Sequence, residues 1–241
     1  MAKGLEICAA VLLFFAGLLV LLYPVMNGAR LENASQEAAE SFIDAFVVPV
    51  ERPEETPRPY GELYAAMEEY NEKIYAEKQR GLSDPRAYEA AGIELSAYGL
   101  EDGIIAVLSV PAMELEMPVY LGASYENMAL GAAVLGQTSL PIGGSNTNCV
   151  IAGHRGWNGA AYFLNIDKLR VGDELSITNL WETMDYTVSE IRIIEPNDID
   201  QILIQEGREL LTLMSCHPYA SGGKYRYLVI CERQLPKFRN G

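Results

Sequence analysis

From Ile104 onward the chain is a succession of short apolar runs, each closed by a turn signal after about 8–12 residues. Such spacing leaves no room for long helices and predicts a closed β-structure. Eight runs qualify: 104–110, 117–121, 132–135, 148–153, 174–179, 184–195, 210–215 and 225–232. Short helical pieces are predicted at 125–130, 163–169 and 198–202. No internal repeat is present.

Three of these runs deliver reactive side chains. The run Leu210–Met214 leads to Cys216 and then to a break marked by Pro218, Gly222 and Gly223. The next run begins on Arg226. His154, one of two histidines in the chain, closes the run 148–153. A free thiol titrates near ~8.5 and is a weak nucleophile at neutral pH. An imidazole beside it takes the proton or forms a thiolate–imidazolium pair. A guanidinium adds fixed positive charge and hydrogen bonds for a developing oxyanion. His217 is the rival base, but neighbours in an extended chain point to opposite faces, so its ring should turn away from the thiol. Cys149, His154, Cys216 and His217 are metal-ligand types without the close pairing of structural zinc sites, so no metal site is predicted.

The first hundred residues have a different texture. Residues 7–23 are almost wholly apolar and stop at Pro24; with Leu5 the span is about 19 residues, enough to cross a bilayer core. Lys3 predicts that the N-terminal end stays in the cytoplasm. No A-x-A cleavage site follows, which favours an uncleaved anchor. Residues 31–48 are amphipathic, with Leu31, Ala34, Ala38, Phe42 and Phe46 at helical spacing. Four prolines between Pro49 and Pro59 mark an exposed spacer. Helical character resumes over 60–79, with Leu63, Met67, Tyr70 and Ile74 on one face.

The formal charge is −15. It is concentrated in residues 31–103, where 17 acidic residues face 6 basic ones. An acidic stem on a milder domain argues against nucleic acid, which needs clustered Lys and Arg.

The residues around these runs resemble a known family. AGHRGW around His154, LTLMSC ending at Cys216 and RYLV beginning at Arg226 are similar to the motifs of the sortases, cysteine transpeptidases of the Gram-positive cell surface. SLPIGG (139–144), LRVGDEL (169–175) and YTVSEIRIIEP (186–196) extend the resemblance over roughly residues 104–233. It implies a mainly β fold: an eight-stranded sortase-type barrel with short helices, preceded by N-terminal helices and a membrane anchor. The division expected is an anchor at 1–28, a helical stem with a lid-like loop at 29–103, the barrel at 104–235 and a short basic tail at 236–241.

The resemblance also implies roles. Cys216 is the nucleophile, His154 the acid and base, and Arg226 the group that positions substrate or stabilises the oxyanion. The substrate is an LPxTG-type signal on a surface or pilin protein, cleaved between Thr and Gly. The acceptor is an amine, from a pilin Lys or a peptidoglycan bridge, and no metal or organic cofactor is implied. GLSDPRAY (81–88) looks like the lid of the pilin-polymerising class C sortases, with Asp84, Pro85, Arg86 and Tyr88 as lid residues. Arg86 stands where that lid commonly has an aromatic, and Tyr88 follows two residues on. The loop before Arg226 reads GGKYR where the family has a polar-His-Arg run. The resemblance places the enzyme in the cell membrane with its barrel outside. Alternatives are a class B or housekeeping sortase, or an inactive sortase-like binding module. Cys149 and Cys231 are expected to be buried and free if the Cys216 strand lies between theirs, as in sortases.

Overall fold

The structure, a computed structural model, describes residues 2–46, 58–90 and 92–234. Most of the Pro-rich spacer (47–57) and the basic tail (235–241) lie outside the described residues.

The strands are β1 (Ile104–Val110), β2 (Leu115–Leu121), β3 (Ala132–Val134), β4 (Thr147–Ala152), β5 (Arg155–Trp157), β6 (Ala160–Tyr162), β7 (Glu174–Asn179), β8 (Thr183–Ile194), β9 (Glu209–His217) and β10 (Tyr225–Arg233). Eight of them close into a barrel in the order β1-β2-β3-β4-β9-β10-β8-β7, and β5 and β6 form a separate hairpin. All eight predicted runs are barrel strands. The hairpin was not predicted, because three-residue strands are too short to show an alternation.

Pairing direction positions the chemistry. β4 and β9 are parallel, with Ala152 opposite Met214, so their C-terminal ends reach the same rim. β10 returns antiparallel to β9 and begins at that rim, with Arg226 opposite Cys216. β4 is buried along its whole length. Its polar Asn148 is satisfied by donating to the Ile202 carbonyl (2.9 Å) and accepting from Thr212 Oγ1 (2.8 Å), as a buried amide requires. Leu108, Met117, Ile151, Phe163 and Ile177 are fully buried in the core; each such side chain contributes about 1.5–3 kcal/mol of burial.

Helix α1 (Ala2–Phe46) is continuous, and α2 (Gly61–Ala76) and α3 (Tyr125–Leu130) follow. The helix carries through Pro24, where the apolar run of the sequence ends; the proline removes only one backbone donor. Ser35, Ala39 and Phe42 form the buried stripe of the second half of α1, whereas Ala34 is exposed. Leu63, Met67, Asn71 and Ile74 are the buried face of α2. The stretch Ile7–Phe46 is long and apolar enough to cross a membrane, and its most apolar window is unburied by the rest of the chain.

Cys149 and Cys231 are buried and free. Both stand opposite Leu211, one from each side of β9, and burial pushes both thiols up. Arg233, at the end of β10, is drawn in: it pairs with Glu182 at 3.3 Å and Glu209 at 3.8 Å and lies over the Tyr186 ring.

Candidate active site

His154, Cys216 and Arg226 line one cavity of about 310 Å³, together with Tyr88, Asp198, Ile199 and Ile202. The strand register accounts for this. Gly153 N–H donates to the Met214 carbonyl (3.0 Å) and Ser215 Oγ donates to the Gly153 carbonyl (2.8 Å), which carries the β4–β9 pairing one step further and sets His154 beside Cys216. Arg226 is held by donating from Nη1 to the carbonyls of Gly223 (2.7 Å) and Tyr225 (3.2 Å). Gly223, at φ 81°, closes over the pair. A Cβ there would lie 3.0 Å from Arg226 Nη1 and 3.3 Å from Cys216 Sγ, so only glycine lets the loop approach both groups this closely.

The His154 ring is stacked on Trp157, with 4.3 Å between centroids and 11° between planes. Burial holds the imidazole below its ordinary range, and its Nε2 is buried without a hydrogen-bond partner among the described residues. The ring is thus fixed by stacking. Trp157 was not singled out from the sequence. It stands in the AGHRGW motif three residues after His154, and the chain turns between them at Gly156 (φ 81°).

His217 points elsewhere. Its Nδ1 is 2.7 Å from Arg155 Nη1, and its ring lies against Tyr227. Arg155 is buried and also pairs with Asp167. Arg155 is therefore a strut between β5, β9 and the turn carrying Asp167, and it keeps His217 on the face opposite to the cavity.

The lid-like segment folds as two short 3-10 turns, Arg80–Ser83 and Pro85–Glu89. Tyr88 reaches the cavity; its hydroxyl donates to the Leu82 carbonyl (3.1 Å), and burial raises its pKa against the lowering influence of Arg226. The Tyr88 carbonyl accepts from the backbone of Ala123 and Gly136, both at 2.9 Å, which ties the segment to the barrel. Asp84 is exposed beside it. The side chains of Pro85 and Arg86 lie outside the described residues. Gln79, just before the segment, is a second residue that sequence reasoning missed. Its buried amide donates to the Gln137 carbonyl (3.1 Å) and accepts from Ile204 N–H (2.6 Å), joining the stem to the loop that carries Ile199 and Ile202.

A closed eight-stranded barrel with thiol, imidazole and guanidinium at one rim defines a class of cysteine-dependent β-barrel proteins, and comparison with known proteins narrows it. Residues 108–234 match the family described as the sortase domain. The chain belongs to the sortase family. It is similar in structure to the pilus-related sortase C of Group B Streptococcus, with a TM-score of 0.66 and 31% identity over 76% of this chain and 93% of that one. It is also similar to sortase C from Clostridium perfringens SM101, with a TM-score of 0.63 and 25% identity over 83% of this chain and 99% of that one. Among curated relatives, sortase D of Bacillus subtilis (strain 168) is 24% identical over 129 residues, 53% of this chain and 62% of that protein. The match to sortase A of Bacillus anthracis, at 26% identity, spans 52% of this chain and 58% of that protein.

Proposed function

We propose that the chain is a membrane-anchored transpeptidase that joins pilin-type proteins bearing an LPxTG-type signal to an amine acceptor, a pilin Lys. The observation that carries this reading is the cross-strand pairing of Cys216 with Arg226, with His154 at the end of the adjoining parallel strand. Cys216 Sγ attacks the Thr carbonyl while the thiol proton passes to His154. The tetrahedral oxyanion faces the Arg226 guanidinium. Collapse breaks the Thr–Gly bond, His154 returns the proton to the leaving Gly amine, and a thioester remains on Cys216. The acceptor amine then attacks the thioester, its proton passes to His154, and the thiol is regenerated. Net, one amide is exchanged for another, so no oxidant, metal or organic cofactor is required.

The likeness to a pilus-related sortase C and the Tyr88 segment over the cavity support the pilin acceptor over a peptidoglycan bridge. In this reading residues 1–28 are the anchor, 29–103 the stem with Asp84, Pro85, Arg86 and Tyr88 as a lid, and 104–235 the catalytic barrel, held outside the membrane with Lys3 on the cytoplasmic side. Purified protein given an LPxTG peptide and a choice of amines tests the acceptor. Joining to the Lys of a folded pilin domain is expected. Joining only to short bridge-type peptides would identify an enzyme that anchors proteins to the wall instead.

A further inference from the structure

The anchor helix and the catalytic rim touch at one defined level. Gly28 of α1 and Gly159 at the tip of the β5–β6 hairpin are packed backbone to backbone. A Cβ on Gly28 would lie 2.3 Å from the Gly159 carbonyl carbon, and one on Gly159 would lie 1.9 Å from the Pro24 oxygen. Asn27 Nδ2 donates to the Asn158 carbonyl at 3.0 Å, and Ala161 N–H donates to Glu32 Oε1 at 2.7 Å. The hairpin tip is therefore seated on the helix between Pro24 and Glu32.

That level coincides with the end of the apolar surface. Tyr23, Val25 and Met26 are 68%, 67% and 66% exposed, on the sides of the helix that the hairpin leaves open. From Ile7 to Met26 the helix rises ~30 Å at 1.5 Å per residue, which equals the ~30 Å hydrocarbon thickness of a bilayer. No part of the run is spare, so the hydrocarbon boundary falls at about Met26. The hairpin contacts between Pro24 and Glu32 then run from ~3 Å inside that boundary to ~9 Å beyond it at 1.5 Å per residue, so the tip is seated across the headgroup layer, which extends ~5–7 Å outward from the boundary.

The side chains around the hairpin suit that layer. Tyr125 is 66% exposed and meets Trp157 edge-on at 5.5 Å. Tyr219 is 61% exposed and lies against Gly156. Leu130 is exposed at the end of α3, which also packs on α1. Trp and Tyr concentrate at membrane interfaces, where the ring body is apolar and the polar tip stays wet. We propose that the rim carrying Trp157, Tyr125 and Tyr219 rests among lipid headgroups, so that the Cys216 cavity opens at the membrane surface. This inference rests on α1 crossing the membrane.

Tryptophan quenching in the full-length protein, reconstituted into phosphatidylcholine liposomes, separates the two. Trp181→Phe leaves Trp157 as the lone tryptophan, and Trp157→Phe leaves Trp181, which lies near Pro59 and Tyr64. A headgroup nitroxide lipid is expected to remove most of the Trp157 emission and to leave that of Trp181 unchanged. Tyr125→Trp, in the background lacking both native tryptophans, is a second reporter and should be quenched likewise. Gly28→Leu should abolish the quenching by unseating the hairpin. Leu19→Trp in the same double-Phe background reports on the span and should be quenched by acyl-chain bromines. Quenching at position 19 with none at 157 or 125 would overturn the seating and leave the span intact. No quenching at position 19 would overturn the span itself.

Discussion

The ring of Trp157 lies flat on that of His154, 4.3 Å away and 11° from parallel. A cation over an aromatic face gains about 0.5–2 kcal/mol, so this stack favours the imidazolium while burial opposes it. Replacing Trp157 with Leu is expected to lower the His154 pKa further, because the imidazolium loses its aromatic partner. The His-dependent limb of the pH–kcat/KM profile should move to lower pH, and Trp157→Phe should reverse part of the shift. Tyr88, Glu89, Asp198, Cys216 and Arg226 line the same cavity, so the shift is to be read against wild type under identical salt.

The same burial predicts a stability effect of definite sign. The unfolded imidazole titrates near 6.5 and the folded one below it. Between the two values the unfolded chain binds more protons, so stability falls as pH drops through that window. Denaturant melts from pH 7 to 5 should show the loss, and His154→Gln should remove its imidazole contribution.

His217 and His154 separate by mutation. Since His217 is turned onto Arg155 and Tyr227, His217→Ala should largely spare thioester formation, whereas His154→Ala should abolish it. Arg155→Ala leaves Asp167 and His217 without their shared partner and should cost about 1–3 kcal/mol of stability. Equal inactivation by the two His variants would assign the base wrongly.

The site was legible to the extent that it depends on strand ends. Cys216, Arg226 and His154 each sit where an apolar run meets a turn, and the alternation that turns His217 away is a local property of an extended chain. What could not be read required tertiary folding. Trp157 meets His154 only three residues away, but through a stacking geometry that no local pattern encodes, and Gln79 bonds to the loop at Ile204, far along the sequence. Nothing local at Arg233 shows the carboxylates that draw it in, because Glu182 belongs to the β7–β8 turn and Glu209 to β9. The apolar run ends at Pro24, but nothing local shows that α1 continues through it to Phe46 and meets the hairpin at Gly28.

Tyr88 should act as a gate. Its backbone ties to Ala123 and Gly136 hold the segment across the cavity, and only the open fraction admits a reagent. Tyr88→Ala is expected to speed alkylation of Cys216 by a small thiol reagent. Asp84→Ala tests whether charge at the segment contributes to closure. Wild-type rates in both variants would remove this segment from any gating role.

The central claim is a thioester on Cys216 assisted by Arg226, and intact-protein mass spectrometry after brief mixing with an LPxTG peptide tests it most directly. The expected result is an adduct of the peptide cleaved after Thr, mapping to Cys216. It should disappear on dilution into an amine acceptor and be absent in Cys216→Ala. Arg226→Lys should slow its formation about 100-fold or more, because a point ammonium does not replace a planar fork at an oxyanion. An adduct that persists in Cys216→Ala, or its absence in wild type with the cavity open to alkylation, would contradict the account.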